Sequence, residues 1–406
     1  MPYMAEPTEL IVGTEPWPLA VPADRAVALQ RAAFAPLAAS PAELVRAALD
    51  APFHFEPLRR ALTPDDRVAV VIDPRLPHLA EMLAEVLRHV GTAGVSPAAV
   101  TVVSPPGAPE AWIDELPDEF ADVTAETHDP AEVQKVAYLA ATSEGRRVYL
   151  NRTVVEADFV VVLAGRRYDP HCAYAGAQNA LFPALSNEET RAEFLGEFTS
   201  AAPDGTTETE VAEAAETAWL LGTPFFVQVI EGEGDTVQDV VAGVIDSGAE
   251  GVRKQDARWR STVDREADTV IAAVSGDPAR VTFLDLAKAA ANAARAVKKG
   301  GRIALLTTAA PDLGEGAELL RTLDGPEGAK KLLAKQKPAD WAAAALWVYA
   351  ARSASLFLAS GYPDDVAEGL FTTPIRRASE AQRLIDAGGT ALLIPDAHKA
   401  MVTVSE

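Results

Sequence analysis

Short apolar runs alternate along this chain with longer stretches in which apolar residues recur every three or four positions. The runs at residues 67–72, 99–103, 158–163, 224–230, 268–274, 300–307, 354–359 and 390–394 are rich in Val, Ile, Leu and Ala, with little polar alternation. Strands buried on both faces have this composition. Residues 78–90, 208–221, 283–298, 363–370 and 380–387 carry the helical period instead. Strand, loop and helix in succession form the βα unit of a parallel sheet, so the pattern predicts an α/β fold with mostly parallel sheets. Residues 1–25 are Pro- and Glu-rich and are expected to cover the surface, with one β-like run at 9–12. Pro41, Pro52 and Pro57 divide residues 26–61 into short helices. An acidic helix is expected over 110–120, and a hairpin or edge strand at 148–151 after the turn Glu144-Gly145-Arg146.

A chain of 406 residues exceeds what one core usually supports. The second run of βα units begins near residue 268, which puts a domain boundary near Glu266. The expected domains are residues 1–265 and 266–406, with a ligand crevice between them.

Charge narrows the partners. There are 59 acidic against 36 basic residues, a formal net charge of −23. Such a field repels nucleic acid and anionic membranes. No apolar run approaches the roughly 20 residues of a membrane span, and the expectation is a cytoplasmic protein. Small anions remain possible ligands, because a few buried Arg or Lys side chains reverse the potential locally. The single cysteine, Cys172, rules out an intrachain disulfide or a cysteine-rich metal cluster.

Residues 166–185, RRYDPHCAYAGAQNALFPAL, follow the run at 158–163. Ligands of open α/β sheets bind beyond the carboxyl ends of strands, so this stretch is the candidate site. His171 can move a proton near neutral pH. Asp73 and Arg75 follow the first strong strand, where Arg75 can bind a carboxylate through paired hydrogen bonds with Asp73 holding it in place. Lys288, flanked by small residues on a helix of the second half, can reach the crevice, and Arg166, Arg167 and Tyr174 are further candidates for anion contacts. His128-Asp129-Pro130 reads as a turn or helix start, and Trp341 and Trp347 as packing residues.

Several of these segments together resemble the nickel-dependent lactate racemase family. They are His128-Asp129-Pro130, Tyr138-Leu139, residues 142–158, Pro170-His171, Gly176 to Pro183, Asp73-Pro74-Arg75, Lys288, Thr372-Thr373-Pro374 and residues 393–396. The resemblance spans nearly the whole chain and implies a two-domain lactate racemase-like α/β fold. It implies a nickel-pincer nucleotide joined to a lysine of the glycine-led motif, a metal-binding histidine, and two acid/base histidines. It also assigns His171 one acid/base role, Gly176 and Asn179 the cofactor site, and Asp73, Arg75 and Lys288 the substrate site, to which the reading of the loop adds Tyr174. Here the lysine position is Asn179, the loop at 104–109 has no histidine, and none lies between Asn187 and Thr236. The family separates its Asp and Arg by three residues, whereas Asp73 and Arg75 are two apart.

Two functions follow from that pattern. One is a divergent racemase or epimerase of a small 2-hydroxy acid, with His171 as acid/base. The other is a non-catalytic small-carboxylate-binding or regulatory protein using the same crevice. A hydrolase or lyase built on Cys172 and His171 is the weakest alternative. No metal ligand set is assigned.

Overall fold

The computed structural model describes residues 8–34, 36–37, 39–108, 110–169, 173–196 and 208–405. Two large sheets carry the fold. The first has six strands, in the order Val237–Gly243, Phe225–Glu231, Phe159–Gly165, Val68–Ile72, Val100–Ser104 and Thr124–Thr127. All neighbours are parallel except the pair formed by Val237–Gly243 and Phe225–Glu231. From Val68–Ile72 the chain runs outward through Val100–Ser104 to Thr124–Thr127, then returns to place Phe159–Gly165 on the other side. The order therefore reverses between Val68–Ile72 and Phe159–Gly165, a topological switch point where ligands of such sheets bind.

The second sheet is wholly parallel, in the order Thr372–Pro374, Ser355–Ala359, Val297–Leu306, Ala267–Ala273 and Ala391–Ile394. Its switch point lies between Ala267–Ala273 and Ala391–Ile394.

The period of two along each strand sends successive side chains to opposite faces. In the first sheet Val68, Val70, Ile72, Val161, Leu163 and Val227 enter one core, while Ala69, Val71, Val160, Val162 and Phe226 enter another. The same division holds in the second sheet, with Val270, Ala272 and Leu305 on one face and Ile271, Ala273 and Leu306 on the other. Helices cover both faces. This explains the continuous apolar runs in the sequence.

Three departures from the sequence pattern have physical causes. Residues 8–19 do not simply cover the surface. They form an antiparallel hairpin, Thr8–Val12 with Glu15–Leu19, whose Leu10, Val12 and Leu19 pack on Ile271, Ala273 and Leu306. Gly13 N–H donates to the Val274 carbonyl at 2.9 Å, and Gly276 N–H to the Gly13 carbonyl at 2.9 Å. The two large sheets fall on either side of residue 266, yet this first segment of the chain belongs with the second sheet. Residues 111–120 form two short turns, Ala111–Ile113 and Asp118–Phe120, rather than one helix. Pro117 stands between them, where its missing N–H and its effect on the preceding residue interrupt a helix. Finally, Arg260–Val263 pairs in parallel with Met401–Val404, a contact distant in sequence that local periodicity does not signal.

Among the described residues no helix is long and apolar enough to cross a membrane.

Candidate functional site

The carboxyl edges of the two sheets face each other. At the first switch point Val68–Ile72 ends at Asp73, and Phe159–Gly165 runs on into Arg166 and Arg167. From the second sheet come the segment 275–282 and the helix Phe283–Ala296. Thr282 caps that helix: its side chain accepts from Asp285 N–H, and the Asp285 carboxylate accepts from Thr282 N–H at 2.9 Å. The cap fixes the first turn and sets Asp285 and Lys288, three residues apart, on one face.

A cavity of about 480 Å³ opens at this edge, with Asp73, Arg75, Arg167, Asp169, Gly176, Asn179, Arg191 and Thr282 in its wall. Its apolar lining includes Ile72, Pro105, Pro106, Ala180, Pro183 and Phe194. Five of the residues picked out by sequence therefore share one cavity: Asp73, Arg75, Arg167, Gly176 and Asn179.

The charges at its inner end are heavily paired. Arg167 forms ion pairs with Asp73 and, at 2.6 Å, with Glu231. The other Glu231 oxygen lies 3.3 Å from Lys399, whose ammonium also donates to the Gly232 carbonyl at 3.0 Å. The chain Asp73–Arg167–Glu231–Lys399 thus crosses from one sheet to the segment after the last strand of the other. Arg280 makes a second tie, pairing with Asp235 and donating to the Arg75 carbonyl. Burial alone would push the Asp73 carboxyl up, but Arg167 and Arg75 hold it well below the usual carboxylate range. Burial likewise opposes ionisation of Glu231, and Arg167 and Lys399 overcome it, holding that carboxyl at about 2. Buried ions at this density persist only because each has a partner.

Asp73 therefore does more than position Arg75. One oxygen accepts from Arg75 N–H at 3.0 Å, and the other is taken by Arg167. The Arg75 guanidinium comes no nearer to Asp73 than 3.6 Å, and its side chain has no hydrogen-bond partner among the described residues. It is a cation held at a cavity wall with its donors available.

Lys288 is buried at 8% exposure. It is not part of the wall of the large cavity, and no hydrogen bond to its amine is found among the described residues. Burial lowers its pKa, while Asp169 and Asp285 act in the opposite sense. Tyr174 is also absent from the wall. Its hydroxyl meets Asp256 at 2.9 Å and accepts from Arg260 at 2.9 Å, and Tyr168 meets the same Asp256 at 2.8 Å. The two tyrosines fasten the hairpin Arg167–Asp169 with Ala173–Ala175 to the helix Ser247–Trp259. Arg166 is similarly committed, to Gln228 at 2.7 Å and the Gly248 carbonyl at 3.1 Å.

Gly176 has a backbone reason to be glycine. Its φ is +114°, and a Cβ there would lie 2.4 Å from the Gly165 carbonyl oxygen. Only glycine lets this loop close on the strand end. Asn179 follows in the short turn Ala177–Ala180. One terminal atom of its side chain faces the carbonyl oxygens of Gly176 and Tyr174 at 3.1 Å each, which identifies it as the amide nitrogen. The amide is bonded to its own loop. His171 and Cys172 lie outside the described residues. His128 is a buried structural histidine, with Nε2 3.0 Å from the Ser186 carbonyl and its pKa lowered by burial.

Glu231, Lys399, Arg280 and Arg191 were not singled out by sequence. Glu231 left a usable signal, because an acid closing an otherwise apolar strand stands at the same sheet edge as Asp73. Arg191 left none, being one arginine in a polar helix.

These side chains do not suit a covalently held nickel-pincer nucleotide. Among the described residues the cavity wall offers neither imidazole nor thiol, its Asn179 amide cannot replace a lysine amine, and its Asp73 carboxylate is already paired with Arg167. Nickel sites favour imidazole or thiolate ligands. No group of three or more His, Cys, Asp or Glu among the described residues is placed to hold a metal. The donors that are present suit an anion.

Residues 12–194 match the lactate racemase N-terminal domain. Among solved structures, the lactate racemase apoprotein from Thermoanaerobacterium thermosaccharolyticum superposes with a TM-score of 0.80 at 16% identity, covering 98% of this chain and 99% of that one. A protein from Thermotoga maritima superposes with a TM-score of 0.68 at 13% identity, covering 91% of this chain and 100% of that one. At such identities the likeness speaks for the fold. No curated protein sequence matches the chain.

Proposed function

From the match of residues 12–194 to the lactate racemase N-terminal domain and the shared fold, we propose that the chain belongs with the lactate racemases and that the crevice between its two sheets binds a small 2-hydroxy acid through the carboxylate. The observation that carries this reading is Arg75. Its guanidinium stands in the cavity wall, 3.6 Å from Asp73 and without a side-chain hydrogen bond among the described residues, while Arg167 takes the closer pairs with Asp73 and Glu231. A ligand carboxylate would take two parallel hydrogen bonds from it. Lys288, buried behind the wall beside Asp169 and Asp285, adds positive field at the same end. Thr282 supplies a hydroxyl from the second domain, so the ligand would touch both halves.

Binding is the part of this reading that the side chains support best. The α-hydrogen of an unactivated 2-hydroxy acid is not acidic, so inversion at that carbon needs a group able to accept a hydride. No side chain in the described cavity wall does so. A second reading, racemase or epimerase activity on the same ligand, needs that acceptor from elsewhere and draws on Lys288 only for moving the hydroxyl proton. A buried amine whose pKa is lowered is a usable proton carrier, and His171, two positions after Asp169 in sequence, would be the second.

Titration calorimetry with lactate and related 2-hydroxy acids tests binding: saturable heat in the wild type, weakened at least tenfold in Arg75→Gln, is expected. Incubating a single enantiomer in D2O and following α-deuteration and chirality tests turnover. Inverted product whose formation depends on Lys288 or His171 would favour the second reading. For protein purified from cells that make the pincer nucleotide, an unmodified intact mass is expected.

A further inference from the structure

The cavity is larger than a lactate-sized ligand requires. A water molecule takes about 30 Å³, and an acid of lactate's size takes on the order of 100 Å³. The cavity encloses about 480 Å³, and Arg191 stands in its remaining wall. This side chain, from the helix Glu188–Gly196, is half-buried, and the hydrogen bond it makes goes to the Ala184 carbonyl. Burial disfavours its charge, and no acidic side chain among the described residues offsets that cost. It is also remote from the paired cluster. The field of Arg191 falls on His128, whereas Asp73 and Glu231 respond to Arg75, Arg167, Arg280 and Lys399. The wall shared with Arg191 is apolar, formed by Pro106, Ala180, Pro183 and Phe194.

A guanidinium kept partly out of water, with no acidic partner among the described residues and on a cavity with apolar sides, suits an anion. We propose that the ligand carries a second anionic group, a carboxylate or a phosphate monoester, joined by an apolar linker to its 2-hydroxy carboxylate, and that Arg191 binds it. This rests on the assignment of Arg75 as the anchor for the first carboxylate. The ligand class is therefore a 2-hydroxy acid with a distal negative group. The overall negative charge of the protein would slow its approach, and the two arginines would reverse the potential where it binds.

The test uses the full chain, titration calorimetry and a graded probe set: lactate, 2-hydroxy dicarboxylates of increasing chain length, and 2-hydroxy acids ending in phosphate. In the wild type at least one doubly anionic probe is expected to bind tenfold or more tightly than lactate, and the better arm identifies carboxylate or phosphate. Arg191→Gln is expected to bring that ratio to about one, and Arg191→Lys to keep part of it. Equal affinity for all probes in the wild type overturns the proposal without needing a variant, and so does a ratio that survives Arg191→Gln. If the ratio depends on Arg191 while Arg75→Gln changes nothing, the Arg75 anchor fails and the Arg191 subsite stands. If no probe binds the wild type, both fall.

Discussion

The cavity places two arginines in opposite circumstances. Arg167 is held between two buried carboxylates, and each of its ion pairs joins elements far apart in sequence. Among the described residues Arg191 hydrogen-bonds a single backbone carbonyl and has no acid beside it. The first arrangement is architecture: its charges are spent on one another, and it joins strand ends of the first sheet to Lys399 of the second half. The second leaves a charge unspent at a wall. Partner count therefore separates the residues that build the crevice from those available to a ligand, and Arg75, with a 3.6 Å ion pair to Asp73 but no side-chain hydrogen bond among the described residues, stands between the two.

The largest expected effect breaks the paired end. Arg167→Gln leaves Asp73 and Glu231 buried without their shared cation, and the loss should be about 3–5 kcal/mol in denaturant unfolding. Acid is expected to produce a related but smaller loss. Glu231 is held at about 2 against an ordinary 4.5, so its folded form favours the ionised carboxylate. That contribution is complete above about pH 4.5 and disappears as the pH falls through 2, a change of roughly 3 kcal/mol. Asp73 shifts in the same direction. Unfolding midpoints measured across this range should fall steeply in the wild type and less steeply in Glu231→Gln.

Smaller still, Tyr174→Phe removes the hydroxyl between Asp256 and Arg260 and should cost about 1–2 kcal/mol. An equal loss of ligand affinity in that variant would return Tyr174 to the binding site. The smallest effect sharpens the contrast: Arg191→Gln should change stability by no more than about 0.5 kcal/mol, because it breaks no ion pair among the described residues. A loss as large as that of Arg167→Gln would mean that Arg191 is structural.

Much of the fold was legible in the sequence because its information is local. Runs such as Val68–Ile72 and Phe159–Gly165 announce strands buried on both faces, and the apolar period of residues 283–298 announces a helix. The hairpin of residues 8–19 was only half visible. Its alternation marks a strand, but nothing nearby in sequence says that its partner surface is Ile271 and Leu306. The site divided in the same way. Asp73, Arg75, Gly176 and Asn179 fall together because strand ends at a switch point must converge. The pairing of Arg167 with Asp73 and Glu231 was hidden, since ion pairs between distant segments have no periodicity. Tyr174 shows the converse: a polar aromatic in the right stretch whose hydroxyl is claimed by the helix Ser247–Trp259.

Arg75, whose side chain makes no hydrogen bond among the described residues, is claimed to bind a ligand carboxylate at the first switch point. The most direct measurement of that binding is ligand-observed NMR of a 2-hydroxy acid titrated with wild-type protein and with Arg75→Gln, both checked for equal folding by thermal melting. Saturable binding to the wild type that weakens at least tenfold in the variant is the expected result. Binding of equal strength to both proteins, or to neither, would contradict it.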